Sequence, residues 1–118
     1  MNETTSSDTA SQSDSQMRKG ILTYAVLLLL KNGKVYSSEI IQALRKAELI
    51  VVEGTLYPLL SRLSKEGLLA YEWQESEQGP PRKYYWLTED GKRLLVSLKV
   101  TYEKLHSSIQ ALEKGAKK

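Results

Sequence analysis

Thr55, Tyr57, Ser61, Arg62 and Lys65 lie on the side of one short segment that faces away from Leu56, Leu59, Leu60 and Leu63, four leucines recurring at i, i+3, i+4 and i+7. Hydroxyls, a phenol, a guanidinium and an ammonium along an outward helical face can hydrogen-bond flat polar edges and neutralise anions. Chemistry that makes or breaks bonds finds no comparable set. His106 is the only histidine and has no paired carboxylates spaced to converge on it, and cysteine is absent. Gly33, Gly54, Gly67, Gly79 and Gly91 stand singly and do not form a phosphate-cradling loop. We expect no catalytic residue, no metal ligand set and no cofactor.

The leucine stripe predicts a three-turn helix beginning near Gly54 or Thr55, with the Thr55 hydroxyl as its cap, Pro58 in the first turn where a missing N–H is tolerated, and Gly67 as the left-handed stop. After Gly67 the period changes to two. Leu69, Tyr71 and Trp73 fall on one side of a strand, and Ala70, Glu72 and Gln74 on the other. Ser76 to Pro81 must be a loop, because two adjacent prolines deny donors to a ladder. Arg82 to Leu87, rich in aromatics, returns as a second strand. A helix running into a two-stranded hairpin is the working end of a winged helix-turn-helix, the hairpin being the wing.

The elements that carry this pair follow from the rest of the chain. A first helix is expected from about Arg18 to Lys31, apolar almost all round and hence enclosed, ended by Asn32, Gly33 and Lys34. Ser37 is expected to cap a second helix that turns Ile40, Ile41 and Leu44 to the core and Gln42, Arg45 and Lys46 outward. Ala47 to Val52 forms the turn, with Leu49 to Val52 apolar enough either to pair briefly as a strand or to pack under the helices. Thr88 is expected to cap a last helix, where Glu89 and Asp90 suit its positive N-terminal end. In that helix Leu95, Leu98, Tyr102, Leu105, Ile109 and Leu112 are separated by 3, 4, 3, 4 and 3 residues, a heptad seam. From Glu89 to Lys114 such a helix extends roughly 39 Å at 1.5 Å per residue, more than the preceding elements can cover, so a homodimer is expected.

The 118 residues allow one DNA-contacting unit, residues 17–87, followed by a dimerisation helix, residues 88–118. Residues 1–16 hold five serines, three threonines, three acids and only Met1 and Ala10 as apolar residues, a composition that predicts a disordered tail. All 17 basic residues follow that tail and three of the 14 acids lie in it, so the remainder carries 17 minus 11, or +6. That is modest for a nucleic-acid binder, and the placement of charge matters more than its sum. Absent cysteines, an apolar run (Ile21 to Leu30) too short to span a bilayer and no signal-peptide features point to a cytoplasmic protein with no membrane partner.

GTLYPLLSRL, the following KEGLL and the later GPPRKYYWLTEDG stand in the order and spacing of the PadR family of bacterial transcription regulators, which the chain resembles over roughly Met17 to Leu112. MRKG at Met17 is similar to that family's usual opening. The family pattern usually has tyrosine, glycine and tyrosine before Glu-Ile; here Tyr36 stands and Ser37 and Ser38 replace the other two. The resemblance implies a mainly α (α+β) winged helix-turn-helix that binds a pseudo-palindromic DNA operator as a dimer, commonly as a repressor relieved by a small aromatic or hydrophobic inducer. In this architecture two recognition helices sit one DNA turn apart, about 34 Å. Thr55, Tyr57, Ser61 and Arg62 are then candidates for base edges and nearby phosphates, and Lys65, Arg82, Lys83, Ser37 and Ser38 for phosphate. Glu72, Glu75 and Glu77 repel phosphate, so only the basic end of the wing should touch. An inducer would meet Tyr102 in the seam. The alternative is a winged helix that binds a protein partner and no DNA, since fold does not dictate function.

Overall fold

The computed structural model describes residues 3–50 and 53–115. Helix α1 spans Glu3–Leu29, strand β1 Val35–Tyr36, and helix α2 Ser37–Lys46; a 3-10 turn at Glu53–Thr55 leads into α3, Leu56–Lys65. Strands β2 (Leu69–Gln74) and β3 (Arg82–Leu87) form the hairpin, and α4 runs from Glu89 to Glu113. The sheet is antiparallel with order β1-β3-β2.

One core joins these elements. Val26 and Leu27 from α1, Leu30 just after it, Ile40 and Leu44 from α2, and Leu56, Leu60 and Leu63 from α3 are almost wholly enclosed, with Leu69, Tyr85 and Leu87 closing the side toward the sheet. The α3 stripe packs as its spacing requires: Leu56, Leu60 and Leu63 are buried and Leu59 is half-buried at its margin. Burial of each such side chain stabilises the fold by roughly 1.5–3 kcal/mol, so this face, and not intrinsic helix propensity, holds a ten-residue helix in place. Gly67 takes φ 78° and lets the Leu68 N–H donate to the Leu63 carbonyl at 3.0 Å, which turns the chain straight into β2.

Four local expectations are corrected. The tail is helical from Glu3: once Leu22 to Leu30 nucleate the helix by burial, each residue added toward the N-terminus contributes a hydrogen bond at little cost. Asp14 bridges Arg18 at 3.1 Å, an i,i+4 pair along this stretch. The wing has a third strand, because Val35 and Tyr36 pair with Tyr85 and Tyr84. Tyr36, not Ser37, occupies the N-cap of α2, its N–H donating to Glu39 Oε1 at 3.0 Å. Thr55 makes no cap hydrogen bond to α3, because the preceding 3-10 turn already places it in helical geometry.

In the turn after α2, Ile50 is buried and Leu49 half-buried, neither in a strand; Val51 and Val52 lie outside the described residues. Thr88 does cap α4, its Oγ1 accepting from the Gly91 N–H at 3.0 Å. The first turns of α4 pack on the core through Leu94, Leu95 and Leu98. No described helix is long and apolar enough to cross a membrane.

Candidate nucleic-acid interface

Helix α3 presents its outward side between two neighbours. Successive residues are about 100° apart on a helix, so Tyr57, Ser61 and Lys65, spaced by four, form a row on one side while Thr55 and Arg62 lie at the other edge. The surroundings follow this division. Tyr57 lines a groove of about 440 Å³ together with Tyr36, Ser37 and Ser38 at the start of α2 and Trp73, Arg82, Lys83 and Tyr85 from the wing. Thr55 and Arg62 instead border a shallower cleft with Lys19 and Thr23 of α1. The structure thus brings five of the nine anticipated contact residues, Ser37, Ser38, Tyr57, Arg82 and Lys83, to one concave wall. Ser61 and Lys65 are exposed on the helix beside it.

The cations of the wing are held by aromatic faces. Lys83 Nζ lies 4.0 Å from the Tyr71 ring centre and 5.3 Å from that of Trp73. The Arg82 guanidinium lies 3.7 Å above the Tyr36 ring. Lys34 Nζ sits 5.0 and 4.9 Å from the Tyr84 and Trp86 rings. Such contacts at exposed sites stabilise by about 0.5–1 kcal/mol each, enough to restrict long side chains without neutralising them. Arg82 and Lys83 are adjacent in a strand and therefore point to opposite faces.

Negative charge shares the Arg82 face of the hairpin and is kept off that of Lys83. Cross-strand pairing sets Glu72 opposite Tyr84 on the face away from Lys83, and the Tyr84 hydroxyl donates to the Glu72 carboxylate. That hydrogen bond, with some desolvation and the nearby charge of Glu72, raises the Tyr84 pKa above the ordinary phenol value. Arg62 pairs with Glu66 one turn on, at 3.3 Å and with both side chains about half exposed. An exposed i,i+4 pair of this kind contributes only about 0.3–0.5 kcal/mol, so the guanidinium is free to exchange Glu66 for a phosphate.

Two residues join this surface that spacing alone did not mark. Lys19, from α1, flanks Thr55 and Arg62, and Tyr36 lies under Arg82. Both had a signal only in the family pattern, Lys19 in the MRKG opening and Tyr36 before Glu-Ile, and the place of Tyr36 under Arg82 follows from the pairing of β1 with the wing. His106 is exposed and stacked on Tyr102, ring centres 6.2 Å apart. Among the described residues no group of His, Cys, Asp or Glu is placed to hold a metal ion.

The seam on α4 divides in two. Leu95 and Leu98 are half-buried against the core, and Tyr102 packs on Tyr24 of α1 with the rings tilted by 34° and their centres 5.5 Å apart. Leu105, Ile109 and Leu112 extend past this packing and are 60, 54 and 71% exposed. An open crevice of about 310 Å³ lies between α1 and α4, lined by Ile21, Tyr24, Leu94, Leu98, Tyr102 and Leu105.

Comparison with known proteins matches residues 26–97 to the model of the PadR-like family of transcriptional regulators. A PadR-like transcription factor from Bacteroides fragilis is 52% identical, with a TM-score of 0.71 over 86% of this chain and 98% of that one. A PadR family transcriptional regulator from Eggerthella lenta is 31% identical, with a TM-score of 0.81 over 92% of this chain and 96% of its own. A PadR-like transcriptional regulator from Bacillus cereus is 35% identical, with a TM-score of 0.73 over 82% and 95%. No curated protein matches the chain.

Proposed function

The chain belongs to the PadR-like family of transcriptional regulators, which are not enzymes, and from that premise we propose that it is a dimeric, cytoplasmic, sequence-specific repressor whose two α3 helices read successive major grooves of a pseudo-palindromic operator. The observation that carries this reading is the groove in which the start of α2, the outward side of α3 and the basic end of the wing converge. Tyr57, Ser61, Thr55 and Arg62 would meet base edges and the nearest phosphates. Lys65, Arg82 and Lys83 would meet backbone phosphate, and Ser37 and Ser38, at the positive end of α2, would donate to the same strand. The exposed Leu105, Ile109 and Leu112 support pairing of two copies through α4, since a row of apolar side chains at heptad spacing is stable in water only when covered. A small flat aromatic or hydrophobic inducer would insert beside Tyr24 and Tyr102, where an apolar crevice meets that same seam.

Arg62→Ala combined with Lys65→Ala tests the interface. Log affinity for duplex falls with log salt at a slope of about 0.9 for each phosphate neutralised, so the double variant, which removes four cations from the dimer, should bind more weakly and lower that slope by up to about four. Fluorescence anisotropy on the DNA upstream of the reading frame, at several salt concentrations, measures both. An unchanged slope would remove this side of α3 from the phosphate backbone.

A further inference from the structure

Tyr36 is in contact with both strands of the wing at their outermost pair. Gln74 and Arg82 are register partners, the last before the exposed loop that contains Pro80 and Pro81. The Tyr36 hydroxyl donates to Gln74 Oε1, and its ring face receives the Arg82 guanidinium at 3.7 Å. The base of the ring is fixed in turn. Its backbone pairs with Tyr84, its N–H donates to Glu39 at the start of α2, and its edge meets the Tyr84 ring at 5.7 Å and 84°. One side chain therefore ties the wing tip to the helix N-terminus that carries Ser37 and Ser38.

We propose that Tyr36 is a positioning residue for DNA binding, which holds the Arg82 guanidinium in advance against the start of α2 so that wing and helix engage one phosphate run as a single rigid clamp. The physical reason is entropic. An arginine on a hairpin tip has many rotamers to lose when it meets a phosphate, and a ring beneath its planar face removes most of them beforehand while leaving its N–H donors outward. The inference rests on the DNA-binding reading above and deepens it.

The test is a double-mutant cycle on the full chain, with the labelled upstream duplex as probe and anisotropy read at several salt concentrations. Tyr36→Leu should weaken binding about fivefold and lower the salt slope of the dimer by about two, one for each subunit, as Arg82→Ala does, and the double variant should be no weaker than Arg82→Ala alone. Tyr36→Phe keeps the ring face and should keep the parent slope. In the unsubstituted protein, ring-current displacement of the Arg82 side-chain proton resonances should be visible by NMR, a readout that needs no variant to fold. Undisplaced Arg82 protons, or a Tyr36→Leu slope equal to the parent's while Arg82→Ala lowers it, overturns the positioning role and leaves DNA binding standing. Failure of the parent chain to bind duplex in a salt-dependent way overturns both.

Discussion

Glutamate at both Leu105 and Ile109 should convert the protein to monomers and weaken operator binding by about two to four orders of magnitude, the gain that tethering two modest binding units normally confers. Both positions are more than half exposed and lie beyond the stretch of α4 that packs on the core, so the subunit's own fold has little to lose. A twofold interface repeats each substitution, which sets four carboxylates into an apolar seam without counter-ions. Each half-site would then be bound by a separate subunit at its own weak affinity. Sedimentation velocity reports the mass, circular dichroism the retained helix, and anisotropy the affinity. A double variant that stays dimeric with undiminished affinity would place the contact between copies elsewhere.

Gly91→Ala should destabilise the fold by about 3 kcal/mol, at the upper end of what overpacking a tight site costs, and lower Tm by roughly 10–20 °C for a domain of this size. A Cβ at this position would lie 2.1 Å from the Leu68 carbonyl oxygen. That oxygen is backbone and cannot swing aside, because it also accepts from the Thr88 N–H at 3.2 Å, while the Thr88 hydroxyl is shared between the Gly67 carbonyl at 2.7 Å and the Leu68 carbonyl at 3.1 Å. The close approach seats the first turn of α4 on the start of β2. Gly20 is the control: it is helical with open space where its Cβ would go, so Gly20→Ala should stabilise by about 0.5–1 kcal/mol through helix propensity alone. Thermal unfolding of the two variants separates them, and a loss below about 1 kcal/mol for Gly91→Ala would mean that the contact relaxes easily.

Gly91 also illustrates what was legible in the residues and what was not. Its isolation in the chain suggested a punctuation mark, and only the approach of Leu68 from across the molecule explains it. Features set by short-range pattern were readable: the leucine stripe of α3, the alternation of β2, the aromatic run of β3, the Thr88 cap and the heptad spacing in α4. Features set by pairing at a distance were not. Val35 and Tyr36 form a strand only because Tyr84 and Tyr85 lie beside them, and two residues carry no periodicity. The helical tail is polar throughout, so its order derives from propagation out of the buried Leu22 to Leu30 segment, and composition alone does not register it. Glu48 turns the chain after α2 with φ 61°, where glycine usually stands; the Leu49 N–H bond to the Leu44 carbonyl at 2.8 Å and the burial of Ile50 supply what the residue type does not.

The candidate interface divides in the same way. Spacing identified the outward side of α3, but not that Tyr57 faces the wing while Thr55 and Arg62 face Lys19 on α1. Which neighbour lies beyond each edge of a helix is a property of packing. The heptad seam likewise gave no sign that α1 would cover its first half through Tyr24, leaving Leu105, Ile109 and Leu112 exposed.

The number of chains on one upstream duplex, measured by native mass spectrometry of the complex at near-physiological salt, decides whether two subunits bind as a unit. Two chains per duplex, with no complex containing one, is the expected result, because the α4 pair delivers both α3 helices together. A stable complex of one chain per duplex would contradict it.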